Sequence, residues 1–107
     1  MKLIYLAGPY RGKTEWDVFL NIVTARIEAE GIMRKGWAVY TPHTQTMFSA
    51  LSFDDIMERD LEILSRADAL VLVGGWEKSE GSGMEYDRAV ELGLRIYCSP
   101  EEVPNEK

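Results

Sequence analysis

Two carboxylates in this chain occupy positions where a charged group needs a reason to be. Glu85 follows Gly81-Ser82-Gly83-Met84, where an apolar strand-like run (residues 69–73) gives way to a helical pattern (residues 84–93). At about 3.6 residues per turn Glu85 shares a face with Ala89, Leu92 and Gly93, so it points toward a sheet and away from water. Asp60 repeats the pattern. In residues 54–67 the apolar Ile56, Met57, Leu61, Ile63 and Leu64 form one stripe with Asp60 near its middle, while Glu58, Arg59 and Glu62 take the opposite face. Either acid alone reads most simply as a cap or as the partner of a buried arginine. Two of them aimed inward from separate helices, one beside a Gly/Ser-rich turn, point to paired acid–base or nucleophilic work.

The elements that position these acids alternate between the two regular periods. Residues 3–7 read as a buried first strand ended by Gly8-Pro9. Thr14 and Asp17 resemble a capping box, and Val18, Ile22, Ala25, Ala29 and Met33 then recur at helical spacing until Gly36. Residues 37–40 read as a second strand closed by Thr41-Pro42, residues 69–73 as a third and residues 96–98 as a fourth. Alternation of this kind predicts an α/β, doubly wound, Rossmann- or flavodoxin-like parallel sheet of four or five strands flanked by helices. One domain over residues 1–98 is expected, with residues 99–107 as an acidic, frayed C-terminal tail.

In such sheets ligands bind beyond the carboxyl ends of the strands. Gly8-Pro9-Tyr10-Arg11-Gly12-Lys13 follows the first strand, Pro42-His43 the second, and the Gly/Ser-rich residues 74–83 the third. The first loop offers glycines, two cations and a helix N-terminus, which suits a phosphate; as a plain turn it would leave Arg11 and Lys13 solvated. It is neither a Walker A loop nor a dinucleotide fingerprint. Ser79, Gly81, Ser82 and Gly83 could present amides and hydroxyls to a ligand, or simply cap the next helix. His43 alone reads as a turn or core histidine, kept in play by its place on this edge. Trp16, Trp37 and Trp76 read as core or rim packing, with base stacking open to Trp76. The irregular residues 42–53 carry Phe48, Leu51 and Phe53, which a loop has trouble burying, so a lid or a subunit contact is expected there.

Taken in order, residues 4–12, Pro42-His43, residues 59–62, residues 79–85 and Arg88-Ala89 resemble the nucleoside 2-deoxyribosyltransferase superfamily, and within it most nearly the 2'-deoxynucleoside 5'-phosphate N-hydrolases. The resemblance covers roughly residues 3 to 98. It implies cleavage of the N-glycosidic bond of a deoxynucleotide, with Glu85 as nucleophile, Asp60 hydrogen-bonding or protonating the leaving base, and Tyr5 orienting Glu85. Gly8, Tyr10, Arg11, Gly12, His43, Ser79, Gly81 and Gly83 would hold the substrate, with Arg11, Ser79 and the amides of Gly81 and Gly83 on the 5'-phosphate. The transferases carry an acid where this chain has Ser79, so Ser79 favours hydrolysis and a phosphorylated substrate. Base exchange and a non-catalytic nucleotide-binding or sensing module are the alternatives. The hydrolases usually continue past the last strand with a helix that completes a neighbouring subunit's pocket, where this chain has its acidic tail. Oxocarbenium chemistry wants one ionised and one protonated carboxyl. The helix dipole is expected to keep Glu85 ionised, and the apolar setting of Asp60 to keep it protonated.

Composition narrows the partners. A net charge of −6 over 107 residues argues against a nucleic acid polymer, whose phosphates are held by clustered Lys and Arg. The single Cys98 makes no internal disulfide, and no spacing suits a metal or cofactor, so none is expected. No apolar run approaches the roughly 20 residues of a membrane span and no leader is visible, so a cytoplasmic protein with no membrane partner is expected. The expected partners are a small deoxynucleotide or nucleoside and further copies of the chain, as a homodimer or higher homo-oligomer.

Overall fold

A computed structural model describes residues 1–107. Strands β1 (Leu3–Ala7), β2 (Ala38–Tyr40), β3 (Ala69–Leu72) and β4 (Arg95–Tyr97) alternate with helices α1 (Glu15–Arg34), α2 (Pro42–Gln45), α3 (Phe53–Leu64) and α4 (Glu80–Leu92). The sheet has four strands in the order β2-β1-β3-β4, and every pairing is parallel. The expected α/β architecture is present, with β1 and β3 central and, from Ile4 in β1 and throughout β3, buried as strands covered on both faces must be. Successive residues of β1 serve opposite faces. Ile4 and Leu6 pack with Ala25, Ala29 and Ile32 of α1, whereas Tyr5 and Ala7 pack with Leu64 of α3 and Ala89 of α4. Tyr5 is therefore delivered to the face that carries both carboxylate helices.

The chain leaves β1 toward β2 on one side and returns to β3 on the other, so β1 and β3 flank the point where strand order reverses, and a crevice opens beyond their carboxyl ends. The two loops there approach closely. A Cβ on Gly8 would sit 2.9 Å from the Cβ of Val73, and Gly75 turns through a left-handed φ of 89° beside Pro9.

Local signals held where side chains cap helices: Thr14 and Asp17 form a capping box at the start of α1. Elsewhere packing overrode them. Ile32 takes the buried position expected of Met33, which is exposed. A short helix, α2, forms within the irregular segment. Helix α4 starts at Glu80, so Gly81, Ser82 and Gly83 make its first turn and are not a loop before it. Leu92, expected on the inward face with Glu85, is exposed. The C-terminal segment is docked and not frayed: Val103 is buried with α1 and Trp37, the Trp37 indole donates to the Pro104 carbonyl at 2.9 Å, and the Glu106 amide donates to the Lys35 carbonyl at 2.7 Å. No helix is long and apolar enough to cross a membrane.

Candidate active site

A cavity of about 880 Å³ opens at the crevice, within the size range of small-molecule sites, roughly 300–1,000 Å³. Its wall combines the loop after β1 (Gly8, Tyr10, Arg11), His43 of α2, the Phe53, Met57 and Asp60 face of α3, and Ser79, Gly81 and Glu85 at the start of α4. The two sequence-predicted acids therefore meet in one cavity.

Each carboxyl has its own phenol. The Tyr5 hydroxyl donates to Oε2 of the buried Glu85, and the Tyr40 hydroxyl approaches Oδ1 of the buried Asp60 at 3.4 Å. Neither acid takes part in any of the ion pairs of the molecule, which excludes the arginine-clamp alternative. Burial without a cation favours the neutral form. It pushes Glu85 up to about 8, with the Tyr5 hydrogen bond opposing and the charge of Asp60 adding. Asp60 rises to about 6, again through burial, opposed by Tyr40. Burial also raises both phenols, which keeps them donors.

This order reverses the expected one. Because α4 begins at Glu80, Glu85 lies beyond its first turn, where the dipole has faded and desolvation dominates. Both carboxyls are held toward their neutral forms by burial, Glu85 further than Asp60.

The cationic end is equally defined. The Arg11 guanidinium lies 4.6 Å from the centroid of the Phe53 ring and has no carboxylate partner. The Asn21 amide holds its loop through the carbonyls of Tyr10 and Arg11 at 3.1 and 3.2 Å. Ser79 caps α4 by accepting the Ser82 amide at 3.3 Å, which leaves its own hydroxyl proton for a ligand. Gly81, second in the helix, has no carbonyl one turn back to bond, so its amide also remains available. His43 points Nε2 at the carbonyls of Gly8 and Pro9 at 3.2 and 3.0 Å, so that nitrogen carries the proton and pins the loop. Burial lowers its proton affinity and keeps the ring neutral.

Two predicted ligand residues are not brought to the cavity. The Gly83 amide is spent on the Ser79 carbonyl at 2.9 Å, inside the helix. Gly12 lies outside the lining, and a Cβ there would sit 2.3 Å from that of Asp17, so its place is explained by the entry into α1. Trp76 contacts Tyr86 and does not line the cavity, which removes it as a base platform; Trp16 is exposed and stacked on Phe19. Sequence reasoning missed Tyr40, the Phe53 support of Arg11 and Lys78 on the cavity wall. Phe48 and Leu51 do line the mouth, with Phe48 93% exposed at a left-handed φ of 65°.

The raised acids predict how stability depends on pH. The folded protein keeps protons on Glu85 and Asp60 that an unfolded chain, with ordinary values of 4.5 and 3.8, releases. Where the folded state binds more protons, stability falls as pH rises, so this contribution is complete below the unfolded values and is lost as pH passes through about 6 and then about 8. Relative to Glu85→Gln, which cannot titrate, the wild-type protein is expected to lose stability between about pH 4.5 and 8. Urea midpoints for both proteins across that range check it; a constant difference contradicts it.

The family described as "Domain of unknown function (DUF4406)" matches residues 2–98. The chain is also similar to a curated Methanosarcina mazei protein with the provisional name 2'-deoxynucleoside 5'-phosphate N-hydrolase 1, at 28% identity over 97 residues. That match takes in 91% of this chain and 60% of the relative, so the chain spans about three fifths of the relative's length. Among solved structures it is similar to a 2-deoxyribosyltransferase from the psychrotolerant bacterium Bacillus psychrosaccharolyticus, with a TM-score of 0.63 at 21% identity, over 88% of this chain and 69% of that one. At that identity the likeness speaks for the fold.

Proposed function

The chain belongs to the DUF4406 family, and from its site we propose that it hydrolyses the N-glycosidic bond of a 2'-deoxynucleoside 5'-monophosphate, releasing the free base and deoxyribose 5-phosphate. One observation carries this above the rest: two buried carboxyls, each met by its own tyrosine and neither by a cation, line the same cavity as an unpaired arginine.

A Glu85 carboxylate oxygen attacks the anomeric carbon as the bond to the base breaks; the bonding electrons go to the base nitrogen, which takes the Asp60 proton. Water then attacks the same carbon, giving a proton to Asp60, and the Glu85–sugar bond breaks to restore both acids. Tyr5 orients Glu85 through its hydrogen bond. Arg11, the Ser79 hydroxyl and the Gly81 amide take the 5'-phosphate. The likeness to the provisionally named M. mazei hydrolase supports this chemistry.

Incubation with each deoxynucleoside monophosphate, with chromatography of free base, tests the proposal. Release without an added acceptor base supports hydrolysis; release only with an acceptor would make the protein a transferase. Stabilisation by nucleotide without any release would make it a binding module. Arg11→Ala is expected to raise KM for the monophosphate by about 10- to 100-fold, the worth of a charge-assisted hydrogen bond, and to leave the unphosphorylated nucleoside nearly unchanged. Equal losses on both substrates would remove Arg11 from the phosphate.

A further inference from the structure

Tyr40 belongs to none of the steps above, yet its position mirrors that of a residue which does. It stands opposite Tyr5 in the β1–β2 register, so both side chains leave the sheet on the same face. Their ring centroids are 5.4 Å apart. From this shared base the Tyr5 hydroxyl reaches Glu85 and the Tyr40 hydroxyl reaches Asp60. We infer that Tyr40 is the positioning residue of the acid, holding the Asp60 carboxyl toward the leaving base and stabilising the charge that Asp60 acquires as its proton departs. The inference rests on Asp60 being the acid of the proposed reaction.

Tyr40 makes the only side-chain hydrogen bond to Asp60, through Oδ1 at 3.4 Å. That length is at the long end for a hydroxyl donor. A phenol facing a newly formed carboxylate makes a shorter, charge-assisted bond, and contacts that are long in an empty site often tighten during reaction. The gain thus appears as charge develops, which lowers the barrier and leaves substrate affinity alone. Other groups facing Asp60 do not replace it. Glu85 on α4 repels its charge, Tyr5 on β1 is committed to Glu85, and Arg11 and Lys78 line the same cavity without an ion pair to Asp60. If Tyr40 served only packing, phenylalanine would replace it without loss, since the ring and its contact with Tyr5 remain.

Tyr40→Phe is therefore the test, with two readouts. The first is the titration of the Asp60 carboxyl in the resting protein, followed by carbon-13 NMR, which needs no turnover. It is expected to move to higher pH, because the lost donor favoured the charged form. The second is the kinetics: kcat is expected to fall about 10- to 100-fold with KM within about threefold, the scale of one hydrogen bond to a charged group. The deficit should shrink on substrates whose bases leave without protonation. An unmoved Asp60 titration overturns the inference, as does an unchanged kcat; if the wild type releases base in either case, the proposed function stands without Tyr40. A shifted titration in a wild-type protein that liberates no base overturns the proposed function, and the acid role of Tyr40 falls with it.

Discussion

Glu85→Gln is expected to abolish base release while leaving the fold intact. The amide keeps an acceptor for the Tyr5 hydroxyl and is a neutral stand-in for a carboxyl that burial already pushes toward its protonated form. It therefore costs little in packing, and thermal unfolding below about pH 4.5, where Glu85 keeps its proton in both states, should stay close to the wild-type curve. What is lost is the proposed nucleophile. Without it the two-step route disappears, and turnover should fall by about 10⁴-fold or more. Chromatography of free base, beside an unfolding curve for each protein, checks this. Turnover within tenfold of wild type would remove Glu85 from that role.

The second large effect is on pH dependence. Catalysis needs one carboxylate and one carboxylic acid, so the competent form of the pair holds a single proton. The acids titrate at about 6 and about 8, and because they share a cavity these belong to the pair and not to either residue alone. Below about 6 both are protonated and the nucleophile is lost; above about 8 both are charged and the acid is lost. A bell-shaped profile of kcat/KM with its maximum between these limits is expected. The single proton of the competent pair must rest on Asp60 at attack, and its sharing with Glu85 lowers the height of the bell without moving its limbs. Asp60→Asn should reduce kcat/KM by about 10²- to 10⁴-fold and remove the alkaline limb. A flat profile from pH 5 to 9, or an alkaline limb that survives Asp60→Asn, contradicts the assignment.

The inward aim of Glu85 and Asp60 was legible because helical period assigns faces before any tertiary contact is known. The sheet was legible for the same reason: apolar runs alternate with amphipathic ones, and their crossovers have one common hand. Tyr40 was not legible. Its place opposite Tyr5 depends on which strands pair and in what register, and a three-residue strand carries no mark of that. The start of α4 was misplaced because Gly81 and Gly83 weaken helix propensity, whereas Ser79 caps them into the first turn. That boundary also reversed the expected proton affinities. The C-terminal segment looked frayed because its prolines and charges hide one buried side chain, Val103, and the backbone bonds to Trp37 and Lys35. Gly12 and Gly83 were given to the substrate both by their loops and by resemblance, and local packing accounts for both.

The central claim is that a Glu85 oxygen bonds to the anomeric carbon of a deoxynucleotide sugar. A monophosphate bearing fluorine at the 2' carbon should slow breakdown of that bond, because fluorine destabilises the oxocarbenium-like state through which water attacks. Intact-mass and peptide mass spectrometry of protein quenched with this compound are expected to find a sugar-phosphate adduct on the peptide containing Glu85, absent from Glu85→Gln. No adduct on the wild type, together with no free base from any deoxynucleoside monophosphate, would contradict the account.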